Sequence, residues 1–302
     1  MAEIRCLNCG EELKPADKFC HNCGQNNRSS RISVKELFKD FLGDYFTFDS
    51  KLFRSIIPLL FKPGFLTNEY ISGKRVKYVP PLRMYIFISI IYFFVISLSS
   101  VRFIPKLQSS DTETTGNTRF NVSFGKKTFP ASTITKAYNN GTEESLLDSA
   151  GVEKTTLNIT IAKIFAKQYV KFTQNPDGFA PQVLKTASIM MFLIMPVFAL
   201  LLKLLYVRRN YYYIDHLIFS FHFHSFLFLL LIILYFTIEV IPAASLTLSL
   251  LIIFYYLYRS LRNVYRQGGW KTIWKMSALL SSGFFILVFG FLVTMMVSFA
   301  IF

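Results

Sequence analysis

The chain has 302 residues, 52% of them from the set AVILMFWYC and 33 of them phenylalanine, with a mean hydropathy of +0.39. Charged residues are 17%, below the roughly 25% of soluble domains, and 33 Lys+Arg against 18 Asp+Glu leave a net charge of +15. That much apolar side chain does not fit inside one water-soluble core, so composition excludes an ordinary soluble protein.

Residues 1–27 hold all four cysteines, as Cys6-x-x-Cys9-Gly10 and Cys20-x-x-Cys23-Gly24 with ten residues between Cys9 and Cys20. Two thiolate pairs, each followed by glycine, describe two zinc knuckles. The glycine lets the chain turn back so that backbone N–H groups point at the sulfurs, and four thiolates satisfy tetrahedral zinc. A segment this short lacks an apolar core, so metal binding supplies its folding free energy. The spacing therefore predicts a structural zinc ribbon with Cys6, Cys9, Cys20 and Cys23 as ligands, closed to catalysis. His21, between the second pair, is an alternative ligand, but with four cysteines available it reads first as a solvated neighbour. Glu11, Glu12 and Asp17 against Lys14 and Lys18 leave the ribbon without a basic face. A protein partner is therefore favoured over nucleic acid or the ribosome.

Residues 28–81 read as basic amphipathic helices. Ser33-x-x-Glu36 is a capping box opening a helix with Val34, Leu37, Phe38, Phe41 and Tyr45 on one face. Leu52, Phe53, Ile56, Ile57 and Leu60 repeat the pattern before Lys62-Pro63-Gly64, and a last short helix ends at Gly73. Two readings stand side by side: helices lying on an anionic leaflet through their basic residues, and helices capping the spans as part of one folded body.

Five charge-free runs follow: Met84–Val101, Thr186–Leu202, His216–Ile238, Val240–Tyr258 and Met276–Phe302. Each is near the length of about 20 residues that a bilayer core requires. The expected architecture is an all-α polytopic membrane protein with spans at 82–101 and, within 185–302, at about 185–206, 215–238, 241–259 and 275–300. Lys74, Arg75, Lys77 and Arg83 precede the first span. Lys203, Arg208 and Arg209 follow the second, and Arg259, Arg262, Arg266, Lys271 and Lys275 lie between the fourth and fifth. All fall on one side if the N-terminus is cytoplasmic and the C-terminus outside. Lys74, Arg75, Lys77 and Arg83 are then membrane-surface basic residues, and the ribbon sits in a reducing compartment that disfavours disulfides. Trp270, Trp274 and Tyr211-Tyr212-Tyr213 suit an interfacial aromatic belt.

Residues 102–184 then form an extracytoplasmic insert. Gln108–Asn140 reads as loop with short strands, and Thr142-Glu143-Glu144 up to Gly151 as a short capped helix. Leu157, Ile161, Ile164, Phe165 and Phe172 mark the apolar face of a second helix that stops at Asn175-Pro176.

The third span opens Asp215-His216 and continues to His222-Phe223-His224. Ionisable groups in a span are functional candidates. However, residues two apart point about 200° apart on a helix, so His222 and His224 cannot serve one metal from one helix. Two readings remain: a protonatable polar site formed by His216, His222, His224 and Asp215, and interhelical hydrogen bonds that fix the bundle. If His222 and His224 are both buried, this helix is the centre of the bundle. No phosphate loop, nucleophile elbow or zinc-protease motif occurs.

Three blocks resemble a known family. The first is the double-CxxCG ribbon. The second runs from Pro63-Gly64 through Glu69-Tyr70 to Gly73-Lys74-Arg75 and Pro80-Pro81-Leu82. The third runs from Met195-Pro196 and Phe198 through Lys203 and Tyr206 to Tyr213-x-Asp215-His216 and His222-Phe223-His224-Ser225-Phe226. Together they are similar to bacterial membrane proteins of the domain-of-unknown-function 3667 family, whose pattern has Glu where this chain has Asp215. The resemblance implies a bacterial inner-membrane protein with a ribbon tail and supplies no activity. The expected function is a non-enzymatic accessory or scaffold that recruits a protein partner through the ribbon and basic helices. The alternative is a small transporter or proton-coupled permease using the intramembrane histidines.

Overall fold

The computed structural model describes residues 4–14, 17–26, 33–35, 37, 51–103, 121–124, 127–142, 145, 148, 151–153, 155–175, 178–238 and 241–302. Among them, two-residue strands β1 (Ile4–Arg5) and β2 (Glu12–Leu13) pair antiparallel. Helices α1 (Lys51–Phe61), α2 (Phe65–Ile71) and α3 (Pro81–Phe103) follow. The hairpin β3 (Asn121–Phe124) and β4 (Lys127–Pro130) leads to α4 (Ala131–Asn139) and α5 (Thr156–Gln174). The chain ends in α6 (Phe179–Leu205), α7 (Tyr213–Ile238), α8 (Pro242–Tyr265) and α9 (Gly269–Ile301). Five helices, α3 and α6 to α9, are long and apolar enough to cross a membrane.

The helices outrun the charge-free segments. α8 continues past Arg259 and Arg262 to Tyr265, and α9 starts at Gly269, six residues ahead of the expected boundary at 275. Arginine and lysine are good helix formers, so a charge ends an apolar run without ending the helix. Only residues 266–268 separate the two, with Arg266 in the left-handed region at φ 49°.

Two compact units divide the chain: Met1–Val95 with Met191–Leu287, and Ile96–Met190 with Val288–Phe302. In the first unit, α7 is the hub. In its most apolar stretch 61% of residues are buried, against 28% or less in the other four long helices. It packs along α8 and receives α1 and α2 on its side. The core is aromatic: Phe226 stacks on Tyr256 at 3.5 Å between centroids, Tyr206 on Tyr265 at 3.7 Å and Tyr92 on Phe228 at 4.9 Å. Such aromatic contacts add to the area buried by each ring.

Helices α1 and α2 belong to this core. Leu59, Leu66 and Tyr70 are buried in the same cluster as α7. The Tyr256 hydroxyl donates to the Leu59 carbonyl at 2.5 Å, and Asn263 Nδ2 to the Pro63 carbonyl at 2.8 Å. Both helices thus pack on α7 and α8 within the first unit. The buried face of α1 differs from the expected one: Ser55 and Leu59 face inward while Phe53, Ile57 and Phe61 are exposed. Ser55 Oγ earns its buried place by accepting the Val79 N–H at 2.9 Å, which holds the approach to α3. Leu37 is also buried in this core; Glu36, Phe38, Phe41 and Tyr45 of the expected first helix lie outside the described residues.

In the second unit, α4 packs on α5 through Ile134, Ala137, Ala166 and Tyr169. The span of α5 agrees with the sequence reading, but its inner face does not. Leu157, Ile161 and Ile164 are exposed, and Ala162, Ala166, Tyr169 and Val170 are buried. Small alanines let α4 approach closely, and that outweighs the larger apolar stripe on the other side. Ser145 and Asp148 are helical in the short segment before Gly151; Glu143 and Glu144, like residues 104–120 and Pro176, lie outside the described residues.

Replacing Ala166, which is fully buried, with leucine should overpack this contact by about 1–3 kcal/mol. Amide exchange should then accelerate in 131–139 and 156–174 and stay unchanged in α7. Unchanged protection in all three would show that Ala166 is not the contact.

Candidate functional site

The four cysteines converge. All four sulfurs lie within 4.8 Å of one another, with Cys6–Cys23 and Cys9–Cys20 each at 3.6 Å. Metal–thiolate bonds of about 2.3 Å in a regular tetrahedron put sulfurs about 3.8 Å apart, so the geometry fits a metal ion. The two knuckles are built alike. Cys6 N–H donates to Glu11 O and Gly10 N–H to Cys6 O, while Cys20 N–H donates to Gln25 O and Gly24 N–H to Cys20 O, all at 2.8–2.9 Å. Gly10 and Gly24 close them at φ 81° and 72°, which a side chain disfavours.

The electrostatics also call for a cation. The Cys23 amide pulls the Cys20 thiol down to about 7, with burial opposing it and the Asn22 amide assisting. The Glu11 amide pulls Cys9 down too, but burial and the three neighbouring thiols outweigh it and push Cys9 up to about 12. Thiolates this close do not all ionise unless a cation neutralises them. His21 stays outside the cluster, exposed and 3.7 Å from Glu11.

The ribbon is docked. Gln25, itself buried, donates through Nε2 to the Gly73 carbonyl at 2.8 Å and accepts the Arg75 N–H through Oε1 at 3.1 Å. Asn8, inside the first knuckle, accepts the Lys77 N–H at 3.2 Å. Each knuckle thus contributes one amide side chain to the segment that joins α2 to α3. Gly73, at φ 98°, makes the close approach possible: a Cβ there would stand 2.8 Å from Leu7 Cδ1.

Of the four basic residues expected at a membrane surface, Lys74, Arg75 and Lys77 lie in this docking segment. Lys74 pairs with Glu69 at 2.9 Å, and that hydrogen bond raises the ammonium above its ordinary value. Arg75 lends its backbone N–H to Gln25. Lys77 stands 5.5 Å over the Tyr78 ring, and Arg83 is half-buried in the first turn of α3.

The histidines of α7 lie inside the first unit but are not gathered into one site. His216 Nδ1 meets the Tyr265 hydroxyl of α8 at 2.7 Å. His222 Nδ1 meets Thr67 Oγ1 of α2 at 2.9 Å. His224 Nδ1 donates to its own helix, to the Ser220 carbonyl at 2.8 Å, with Phe198 edge-on to its ring. His216 and His222 are buried and His224 is half-buried. His216 Nε2 and the Tyr206 hydroxyl, both buried, have no hydrogen-bond partner among the described residues. Asp215 caps the helix: its carboxylate accepts the Tyr212 N–H at 2.8 Å, in the first turn where the helix dipole favours an anion. Among the described residues, the cysteines are the one cluster able to hold a metal.

Asn8, Gln25, Thr67 and Tyr265 complete these sites and carry no motif of their own. A family model described as "Protein of unknown function (DUF3667)" matches residues 49–93. The match is to a family of unknown function, over a small part of the chain. That part holds α1, α2, the docking segment 73–77 and the first half of α3, and so both Thr67 and the seat of the ribbon. No curated protein matches the chain, and no solved structure does.

Two outcomes are expected. Purified protein should carry one metal ion per chain, and Cys20→Ser should lose it; a metal-free wild type prepared without chelator would contradict the geometry. Thr67→Val leaves His222 Nδ1 unpaired in a buried position and should cost about 1–3 kcal/mol, read as a lower melting temperature in detergent, whereas Thr67→Ser should restore it.

Proposed function

We propose that the chain is a multi-pass protein of the bacterial inner membrane, acting as a non-enzymatic accessory or scaffold that presents a zinc ribbon to a protein partner on the cytoplasmic side. Zinc suits the four-thiolate set and, when bound, supplies the cross-links that a hydrophobic core gives a larger domain. The observation that carries the reading is the dock. Asn8 and Gln25 hold the ribbon on the segment between α2 and α3, so it is presented in a fixed orientation rather than trailing as a tail. Phe19, beside Cys20, remains 59% exposed and offers an aromatic anchor of the kind protein interfaces use. The orientation rests on the Lys and Arg of the short connections.

A photoreactive residue in place of Phe19 should crosslink one protein in native membranes, and the crosslink should vanish with Cys20→Ser. Crosslinks to nucleic acid alone would sink the scaffold reading. A reporter fused after Phe302 should be active outside the cytoplasm; cytoplasmic activity would reverse the orientation.

A second reading, a small transporter or proton-coupled permease, draws on His216 Nε2, which is buried beside Tyr206 and has no hydrogen-bond partner among the described residues. It requires uptake in proteoliposomes that disappears with His216→Ala or His222→Ala.

A further inference from the structure

We propose that Arg209, Lys271 and Lys275 form a binding site for a phosphate group, the headgroup phosphate of an anionic phospholipid. The site lies where the α6–α7 connection meets the first turns of α9. Over residues 203–215 and 259–275 the sequence has eight basic residues and a single acid, Asp215. Asp215 caps α7 with the Tyr212 N–H. Among the described residues, Arg209, Lys271 and Lys275 make no ion pair with a carboxylate.

The fold presses these charges together instead of spreading them. Residues 206–211 form a tight turn in which Arg209 N–H donates to Tyr206 O and Tyr211 N–H to Arg209 O, both at 2.8 Å. Lys275 Nζ stands 3.9 Å over the ring of Tyr206, which is itself buried and stacked on Tyr265. Lys271 stands one turn before Lys275 on α9, and Arg209 lies in the turn that begins at Tyr206. The arrangement also opposes the helix dipole. The first turn of α9 holds Lys271 and no acidic residue, at the end where a helix is already positive and prefers an anion.

Three cations beside a positive helix end, one of them held over a buried tyrosine and none paired with a carboxylate among the described residues, are complementary to one anion. A phosphodiester suits them: the guanidinium offers a fork for two oxygens, and the two lysines act as point charges. Trp270 and Trp274, on the same turns as the lysines, are 80% and 76% exposed. Tryptophans exposed in this way gather at headgroup level, which assigns the phosphate to a lipid rather than to solution. The proposal rests on the membrane reading.

Trp270 and Trp274 are the only two tryptophans in the chain, so their fluorescence reports on this site alone. Protein that fails to float with liposomes would overturn the membrane reading before any lipid preference is measured. In floated proteoliposomes, brominated phosphatidylglycerol should quench the tryptophans in preference to brominated phosphatidylcholine, by a relative binding constant on the order of tenfold. Combined Arg209→Gln, Lys271→Gln and Lys275→Gln should bring it close to parity. Arg209→Gln with Lys271→Gln, which changes two exposed side chains and keeps the Lys275–Tyr206 contact, should lower it even if the triple variant misfolds. Lys51→Gln with Arg54→Gln, on α1, should leave it unchanged. Equal quenching by the two lipids, or a preference untouched by the substitutions, would overturn the site. Loss of the preference on adding inorganic phosphate, but not chloride at equal ionic strength, would keep the phosphate site and overturn the lipid as its source.

Discussion

A polar side chain buried in an apolar helix must find a partner; on its packed half α7 buries His216, Ser220, His222 and Ser225 and half-buries His224. Ser220, His224 and Ser225 bond carbonyls one turn back on α7 itself, as serine commonly does in apolar helices. His216 and His222 do not, and their partners come from elsewhere in the sequence. Tyr265 ties α7 to α8, and Thr67 ties it to α2. In an apolar medium the hydrophobic effect distinguishes poorly between one helix contact and another, so two directed bonds of this kind fix a register that apolar packing alone would leave loose.

Other features follow from the seat of α2. Tyr256 and Asn263 of α8 bond the carbonyls of Leu59 and Pro63, and Asn68 bonds the carbonyl of Asn263, so α1 and α2 are clipped to α8 as well as to α7. The segment after α2 is thereby held as a platform, with Lys74 paired back to Glu69. The ribbon lands on that platform through two amide side chains and the space left by Gly73. A physical chain thus runs from the thiolates through Gln25 to α2 and from Thr67 to His222. The family match at 49–93 covers the middle of that chain rather than the metal site or the histidine helix.

What the sequence made legible was whatever has a local signature. The five long helices show as charge-free runs, and the metal cluster as two CxxCG repeats. The partners did not show, because each lies far away along the chain and is chemically ordinary. Thr67 is 155 residues from His222, and Gln25 is 48 from Gly73. One threonine in a short helix, or one glutamine after a knuckle, has no periodicity to read. Faces misled for a related reason. Both α1 and α5 are apolar on two sides, and the larger side chains of Phe53, Ile57, Leu157 and Ile161 lie on the exposed one. The close contacts use Ser55 and Ala166, whose small size is what permits them.

The division of labour along α7 shows why such a bundle holds together at one end. Its buried residues run from Ile214 to Leu230, and every described polar contact to α2 or α8 falls in the first three turns. Beyond Leu230 the helix is half-exposed or exposed and wholly apolar apart from Tyr235 and Thr237, the latter bonded back to its own helix. Apolar surface facing lipid costs nothing that a protein neighbour would recover, so that half has no need of close partners. The specific structure is concentrated where side chains must be paired, which is also where the cationic connections and the docked ribbon converge on the first unit.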